Sequence, residues 1–386
     1  MTGADKQAKK PVRFVLSDKQ RLAWLRLYRS DNVGPATFRD LIAHCGSAEL
    51  ALEMLPELSA RGGNLKSVRI ADPDDAEREL EAIAGHGARL VGLGEPDYPP
   101  MLRLTEQAPP LVTIKGDPKV FTRNAAAIVG ARNASMSGIR LTQQLARGLG
   151  EADYVVISGL ARGIDRAAHE AALDSGTVAV LAGGIDRIYP PENAELLAAI
   201  ESGIGASITE MPFGWEPRAR DFPRRNRIIA ALALGLVVVE AAMRSGSLIS
   251  ARLANELGRL VFAVPGSPLD PRSEGANSLL KNGAIVTTSA DDVISALAPL
   301  DQRAGSGPKG QIPLFEPEET LSLPPDEDQR AQIVALLGPS PVDVDDIIAH
   351  TGIAPAKVFL SILELDLAGR IERHSGNRVS LLPAIV

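Results

Sequence analysis

The chain has 386 residues, of which 45% are hydrophobic and 23% charged, with a formal net charge of -7. Such a composition is typical of a globular protein of two or three domains, and it excludes a chain that is basic throughout, so any nucleic-acid site must be a local patch. One cysteine, a polar N-terminal segment and no apolar run of about 18 residues argue against a disulfide framework, a secretion signal and a membrane span, and favour a cytoplasmic protein.

The N-terminal region predicts a short tail followed by a helical domain. Residues 1–16 are polar and predict disorder, whereas residues 17–90 have apolar side chains at helical spacing, broken at Asn32-Val33-Gly34-Pro35. A helix, a glycine turn and a second helix are similar to helix-hairpin-helix and sterile-alpha-motif-like bundles. The turn could donate N–H groups to a duplex phosphate, or it could serve only as a helical hairpin.

Residues 91–298 predict a Rossmann-like domain. Short runs rich in Val, Ile and Ala alternate with helical segments, which indicates a doubly wound, mostly parallel sheet covered on both faces. The predicted strands are AAAIVG, YVVISG, TVAVLAGG, ASITE, GLVVVEA, LVFAVPG and AIVTT, preceded by a strand at 111–115. Ligands of this fold bind beyond the carboxyl ends of the strands, where the turns of this chain are rich in Gly, Ser and Arg.

The first of these turns, Gly130-Ala131-Arg132-Asn133-Ala134-Ser135, predicts a phosphate site. A helix follows it, and the first N–H groups of a helix have no partner within the helix and attract anions. Arg132 stands where a dinucleotide fingerprint would need a second glycine, so its guanidinium is expected to bind one phosphate group. Pairing of Arg132 with a nearby carboxylate is the alternative.

Further arginines follow the other strands, and lysine is absent between Lys119 and Lys281. Guanidinium groups along one edge of the sheet would suit a phosphodiester backbone. With the first turn, the candidate phosphate-binding residues are Gly130, Arg132, Ser135, Arg162, Arg224, Arg227, Arg244, Ser245 and Gly246. Capping and ion pairing at the start of a helix is the alternative for Arg224, Arg225 and Arg227. Phe213, Trp215 and Phe222 are the aromatic residues best placed for base stacking, with core packing as the alternative for Phe222.

Two enzymatic alternatives remain in view. Ser158, Asp165 and His169 lie close together but lack a nucleophile elbow, and no zinc spacing or ATP-binding loop is present. A Rossmann-like phosphoribohydrolase acting on nucleoside monophosphates would use Glu240, after the strand VVVEA, to stabilise a ribosyl cation. Pairing of Glu240 with a loop arginine is the simpler role. The sequence therefore predicts no catalytic residue, cofactor or metal.

The C-terminal region predicts a linker and a winged helix. Residues 299–328 are rich in Pro, Gly and acidic side chains, and residues 329–386 contain three helical patterns and a hairpin that turns at Ser375-Gly376-Asn377. The third helical pattern contains Glu364 and Asp366 and lacks the basic residues of a DNA-reading helix. A protein contact or a dimer surface is therefore expected of this domain.

A set of motifs in one order gives the chain a family resemblance. They are IVGARNAS, VVISGLARGIDRAAHEAAL, VAVLAGGIDRIYPPEN, SITEMPFG, DFPRRNRIIAAL, VVVEAAMRSGSLISARLANELGR, VFAVPGS and EGANSLLKNGA. The chain resembles the bacterial DNA processing protein A (DprA/Smf) family over about residues 98–297, with weaker similarity in both flanking domains.

This resemblance implies a non-catalytic, cytoplasmic protein that binds single-stranded DNA, protects it, forms a homodimer and loads the RecA recombinase in natural transformation. It adds Ser158, Gly159, Gly163 and Asn226 to the phosphate-binding set, because they match the second Gly-rich loop and the FPxRNR motif. Two departures are notable: NVG replaces GIG in the N-terminal turn, and Pro191 stands where some relatives have a lysine.

Overall fold

The computed structural model describes residues 15–63, 68–304 and 324–382. Its N-terminal domain contains four helices, which are α1 (Asp18–Arg29), α2 (Pro35–Cys45), α3 (Ala48–Arg61) and α4 (Pro73–Gly85). Ser17 and Gln20 form a reciprocal capping box at α1, and the left-handed Gly46 ends α2. Their apolar faces form one core, in which the rings of Trp24 and Phe38 meet edge to face at 5.0 Å.

The central domain is built on a sheet of nine strands. They are β1 (Arg89–Gly92), β2 (Leu111–Gly116), β3 (Ala125–Val129), β4 (Val155–Ser158), β5 (Thr177–Val180), β6 (Gly205–Thr209), β7 (Gly235–Val238), β8 (Leu260–Ala263) and β9 (Ile285–Val286). Their order is β1-β2-β6-β5-β4-β3-β7-β8-β9. Strand β2 is antiparallel to both of its neighbours, β1 and β6, and the other neighbouring pairs are parallel. The order reverses between β3 and β7, where α/β sheets open a crevice.

Helices cover both faces of this sheet. They are α5 (Pro100–Arg103), α6 (Met136–Glu151), α7 (Ile164–Ala171), α8 (Ala194–Ser202), α9 (Asp221–Leu232), α10 (Gly246–Glu256), α11 (Glu274–Lys281) and α12 (Ala290–Ala304). Strand β3 shows why its sequence is a continuous apolar run. Ala127 and Val129 pack into the core on one face, and Ala126 and Ile128 pack into the core on the other. A strand buried on both sides cannot alternate with polar residues.

The C-terminal domain is a winged helix. It contains α13 (Glu327–Leu336), β10 (Val342–Asp343), α14 (Val344–Thr351), α15 (Pro355–Leu367), β11 (Ile371–His374) and β12 (Arg378–Leu381), with the strands in the order β10-β12-β11. Ile333, Ile347, Val358 and Ile362 are among the residues of its own core. The turn at residues 375–377 joins β11 to β12, as the sequence predicts.

The architecture confirms the predicted fold class, while several expected boundaries differ in detail. Strand β1 begins at Arg89, inside the range expected for the helical domain, and pairs with β2 of the central sheet. Helix α12 continues to Ala304, and α13 begins at Glu327, so both ends of the expected 299–328 linker are helical. Residues 1–14 of the expected tail and 305–323 of the linker lie outside the described residues.

Candidate nucleic-acid interface

A pocket of about 180 Å³ lies beyond the carboxyl ends of β3, β4 and β5, beside the first turns of α9. Its lining residues are Arg132, Asn133, Gly159, Ala161, Arg162, Tyr189, Pro190, Phe222 and Arg225. Sites for drug-sized molecules usually have about 300–1,000 Å³. The pocket therefore suits a phosphate group better than a whole nucleotide.

The loops after β3 and β4 touch each other at Gly163. This residue has φ of 72°, and a Cβ atom here would lie 2.3 Å from the carbonyl oxygen of Ala131. The N–H of Ile164 donates to that same carbonyl at 3.2 Å. Only glycine combines the left-handed backbone with so close an approach, so Gly163 fixes the relative position of two walls of the pocket.

The buried guanidinium of Arg225 forms the inner side of the pocket. Its Nη1 donates to the carbonyl oxygen of Val180 at 3.0 Å, and its Nε has no hydrogen-bond partner among the described residues. It packs directly on Gly159, where a Cβ atom would lie 1.6 Å from Nη1. Burial, only partly opposed by Asp165 and reinforced by Arg132, lowers the pKa of Arg225 to about 10, so the group is still charged at neutral pH.

Arg132 brings a second positive charge to the same place. Its guanidinium lies 5.3 Å from the ring centre of Phe222, and that of Arg225 lies 6.0 Å from the same ring. Arg132 is exposed and forms no ion pair with any residue that the structure describes. Arg162, at the rim of the pocket, forms an ion pair with Glu192 at 3.0 Å. Two guanidinium groups without a carboxylate bound to either make the pocket a strong anion site.

Two backbone amides of the second Gly-rich loop, those of Gly159 and Ala161, bind a carboxylate of the protein instead of facing a ligand. Asp165 is buried and accepts from the N–H groups of Gly159 and Ala161 at 3.1 and 3.3 Å. Burial raises the pKa of this carboxyl, although Arg225 and the two amides oppose the shift. Ser158 is fully buried, and its hydroxyl donates to the carbonyl oxygen of Ile128 at 2.6 Å. These three groups are therefore used within the protein, and the positive charges that line the pocket are arginine side chains.

The N-terminus of α6, where the sequence predicted a phosphate, holds a carboxylate of the protein. Glu240 follows β7 and accepts from the N–H of Ser135 at 2.9 Å and from its hydroxyl at 2.5 Å. A Cβ atom on Gly138 would lie 2.8 Å from the Glu240 carboxyl carbon. The carboxylate thus lies against the start of α6, and the pocket lies between the loops that follow β3 and β4.

The arginines of the FPRRNR motif point in different directions. Arg224 and Arg227 both pair with the buried carboxylate of Glu210 at the end of β6, Arg224 at 3.0 Å, and the hydroxyl of Tyr28 donates to the same carboxylate at 3.0 Å. Asn226 donates from Nδ2 to the carbonyl oxygen of Gly246 at 3.3 Å. Arg225, which the sequence analysis grouped with Arg224 and Arg227 but did not count among the phosphate-binding candidates, is the arginine of this motif that lines the pocket.

Glu210 joins the N-terminal domain to the start of α9. Burial raises the pKa of this carboxyl, but Arg227 and Arg224 outweigh burial and hold its pKa below the ordinary value. The same cluster, through burial and Glu210, raises the pKa of Tyr28 far above its ordinary value. Glu210 therefore connects Tyr28 of the N-terminal domain to Arg224 and Arg227 of α9. These contacts fix the position of the helix that carries Arg225.

Of the three aromatic residues considered for base stacking, Phe213 and Trp215 do not line the pocket. Phe213 packs edge to face on His86 at 5.9 Å, and Trp215 donates from Nε1 to Asp221 at 2.9 Å. Tyr189, 45% exposed, and Phe222 line the pocket instead, with their ring centres 5.5 Å apart.

The other predicted residues take separate positions. Gly130 ends β3 beside Ile164, and Arg244 is exposed on the loop before α10. Ser245 precedes that helix, and Gly246 is its first residue. The structure thus brings Arg132, Gly159 and Arg162 together in the pocket and places Arg244, Ser245 and Gly246 at the start of α10, after β7.

The three residues considered for a hydrolase are bonded to other groups. His169 is fully buried and donates from Nδ1 to the hydroxyl of Thr177 at 2.7 Å, which itself donates to the carbonyl oxygen of Val156. Burial, reinforced by the charge of Arg225, lowers the pKa of His169 to about 3. Ser158 donates to Ile128 and also lies close enough to Asp165 to lower the pKa of that carboxyl, but His169 is bonded to Thr177, so these side chains do not form a nucleophile–base chain.

Among residues 15–63, 68–304 and 324–382, no group of three or more His, Cys, Asp or Glu side chains is arranged to hold a metal ion. Within the same ranges, no helix has both the length and the apolar character needed to cross a membrane.

The fold and pocket together define a Rossmann-like protein with a cationic pocket at the strand ends, a helical domain before it and a winged helix after it. The family model for DNA recombination-mediator protein A matches residues 89–298, which is more than half of the chain. Models for the DprA-like N-terminal HHH domain and the DprA winged helix domain match residues 18–82 and 317–377. The chain belongs to the DNA recombination-mediator protein A (DprA/Smf) family.

Individual relatives agree with this assignment. The putative DNA processing protein DprA of Mycobacterium tuberculosis is 38% identical over 352 residues, covering 87% of this chain and 82% of the relative. The X-ray structure of DprA from Streptococcus pneumoniae has a TM-score of 0.56 at 34% identity, covering 68% of this chain and 86% of the other. DprA from Helicobacter pylori, described for its single-stranded DNA binding mode, gives 0.51 at 28% identity, covering 55% and 96%.

Proposed function

We propose that this chain binds single-stranded DNA without sequence preference at the Arg132–Arg225 pocket and mediates recombination by loading RecA onto that DNA. The observation that carries the proposal is the pocket itself, where two guanidinium groups face a space of about 180 Å³ with no carboxylate bound to either. Family membership supplies the class of ligand, since the H. pylori relative is described as binding single-stranded DNA.

The chemistry of the pocket supports a sequence-independent mode. Guanidinium groups bind phosphate oxygens in bidentate fashion and gain no information about the base attached to the same nucleotide. Phosphate-bound DNA would keep its base edges available for pairing by a recombinase. Binding of this kind releases counterions, so the affinity should fall steeply with salt concentration.

Self-association would strengthen such binding. One pocket per protomer offers few phosphate contacts, but a homodimer binds a second segment of the same strand at a high effective concentration. In this proposal the protein works in the cytoplasm without cofactor or covalent chemistry, as a protector of incoming strands during natural transformation and as a partner of RecA. Gly130, Gly159, Arg162 and Gly163 shape the pocket in this scheme.

A RecA-loading assay tests the proposal. RecA-dependent ATP hydrolysis is followed on single strands coated with single-strand-binding protein, with and without this chain. The wild-type protein should shorten the lag before hydrolysis, and the Arg132→Gln/Arg225→Gln variant should not. Arg78→Gln is the matched control, because Arg78 is exposed on α4 and pairs locally with Asp75. An equal lag with and without the wild-type protein would contradict RecA loading.

The phosphoribohydrolase alternative is tested in parallel. Glu240 would have to approach a ribose, but its carboxylate accepts two hydrogen bonds from Ser135 and lies against Gly138. We expect no ribose 5-phosphate from nucleoside monophosphates. Release of that product, with loss of release in Glu240→Gln, would favour the hydrolase instead.

A further inference from the structure

The third helix of the winged helix, α15, is buried on two sides. Val358, Ile362 and Leu365 belong to the core of its own domain. Leu360, Leu363 and Leu367 belong to the core of the N-terminal domain instead. In DNA-binding proteins built on a helix-turn-helix, the corresponding helix lies in the major groove. Here the helix contacts α2 and α3 across the domain boundary.

Polar contacts give this boundary a defined register. The carboxylate of Asp366 accepts from the hydroxyl of Thr37, in the first turn of α2, at 2.7 Å. The other contacts are Asn32 Nδ2 to the carbonyl oxygen of Leu367 at 2.9 Å, Arg370 Nη1 to the carbonyl oxygen of Gly62 at 3.1 Å, and Arg373 to Asp40 at 2.8 Å. The turn before α2, for which the sequence left open a duplex-phosphate site or a plain helical hairpin, is therefore in contact with the end of α15.

Glu364 shows that the boundary also accommodates a buried charge. Its side chain is 1% exposed and accepts from Nε and Nη2 of Arg330, in its own domain, at 2.7 and 3.0 Å. Arg61 of α3 lies 3.9 Å from the same carboxylate. A buried carboxylate on the face that would meet DNA is unfavourable for phosphate and favourable for an arginine-bearing protein surface.

The net charge of the winged-helix domain also favours a protein partner over DNA. Residues 324–382 contain nine acidic and five basic side chains. We propose that α15 is a protein-binding helix whose partner is the N-terminal domain of the same chain, and that this closed pair keeps duplex DNA off both domains. This inference does not depend on the single-strand pocket.

Replacing Gly62 should selectively disrupt the contact between the N-terminal domain and α15. Its backbone is right-handed helical, so alanine is allowed there, but an added Cβ would lie 1.9 Å from the carbonyl oxygen of Glu364. Gly85 is the matched control, because it ends α4 and a Cβ there meets nothing within 4 Å. Both variants are compared with the wild-type full chain by amide hydrogen exchange with mass spectrometry.

In Gly62→Ala we expect exchange across α15 to rise at least about tenfold while β3 to β8 stay unchanged, and in Gly85→Ala we expect no change. Equal protection of α15 in both variants would overturn the proposal. Exchange in the wild-type protein should also be independent of protein concentration; a dependence would make the partner a second copy and overturn the same-chain assignment. Added duplex of random sequence should leave α15 exchange unaltered, and slowed exchange there would overturn the exclusion of duplex.

Thr37 and Asp366 give a second test if Gly62→Ala does not fold. Thr37→Val and Asp366→Ala each remove one partner of the 2.7 Å contact, and the double variant removes both. If the contact exists in solution, the fold-increases in α15 exchange do not multiply, because the second change removes a bond that is already lost. Strictly multiplicative effects would overturn the proposal.

Discussion

Replacing Gly159 by alanine should expel Arg225 from its position. The new Cβ would lie 1.6 Å from Nη1, so the guanidinium must move by about 1.8 Å to reach ordinary contact at 3.4 Å. That shift breaks the 3.0 Å bond to Val180. A hydrogen bond with a charged donor contributes about 1.5–3 kcal/mol, so we expect the free energy of unfolding to fall by about 2 kcal/mol.

A double-mutant cycle isolates this cause. The three atoms nearest the added Cβ all belong to Arg225, so in an Arg225→Ala background Gly159→Ala should cost close to nothing. Urea unfolding is followed by the fluorescence of Trp215, near the start of α9, in a Trp24→Phe background that removes the other tryptophan. An equal loss of stability in both backgrounds would refute the packing argument. Single-strand affinity should fall about tenfold in Gly159→Ala if the expelled guanidinium no longer meets phosphate.

Three further predictions concern single side chains. Arg132→Gln should reduce the dependence of log affinity on log salt concentration by about 0.7, the value for one phosphate contact on a single strand, and Arg78→Gln should leave it unchanged; equal slopes in all three proteins would contradict the site. Glu210→Gln should lower the free energy of unfolding by about 3 kcal/mol at pH 7, because it leaves two arginines without their buried partner. Since the folded pKa of Glu210 lies below 4.5, the wild-type protein should lose this contribution as the pH falls below that value. Free energies of unfolding measured in urea from pH 7 downward should therefore become equal in the wild type and the variant. A constant difference between them would show that Glu210 does not titrate as described. Tyr189→Ala should weaken single-strand binding by about 1–3 kcal/mol if bases stack on the exposed ring, whereas Trp215→Phe should not; the reverse order, measured by anisotropy, would favour stacking on Trp215 instead.

The sheet was predictable because its signal is local. Strands buried on both faces must be continuous apolar runs. In this chain the loops that follow them are rich in glycine and arginine. The loop at Gly130 to Ser135 and the winged-helix hairpin were found from such patterns. Phe222 and Arg225 are three residues apart on α9 and therefore lie on the same face of the helix. This spacing is also a local signal, and it singles out Arg225 as the arginine on the aromatic, pocket-facing side.

The remaining features of the site depend on contacts between distant residues. Ser135 and Glu240 are 105 positions apart, and this contact converts the predicted phosphate position at α6 into an internal ion-dipole contact. Tyr28 and Glu210 are 182 positions apart, and they determine that Arg224 and Arg227 face the N-terminal domain. The acidic character of α15 predicted a protein contact, but the identity of its partner required the structure.

Fluorescence anisotropy of a labelled single-stranded oligonucleotide, titrated with protein at several salt concentrations and with unlabelled duplex as competitor, tests the central claim most directly. The account predicts binding that weakens steeply with salt, resists duplex competition and is lost in Arg132→Gln/Arg225→Gln but kept in Arg78→Gln. Absence of binding at low salt, or binding that the double variant retains in full, would contradict it.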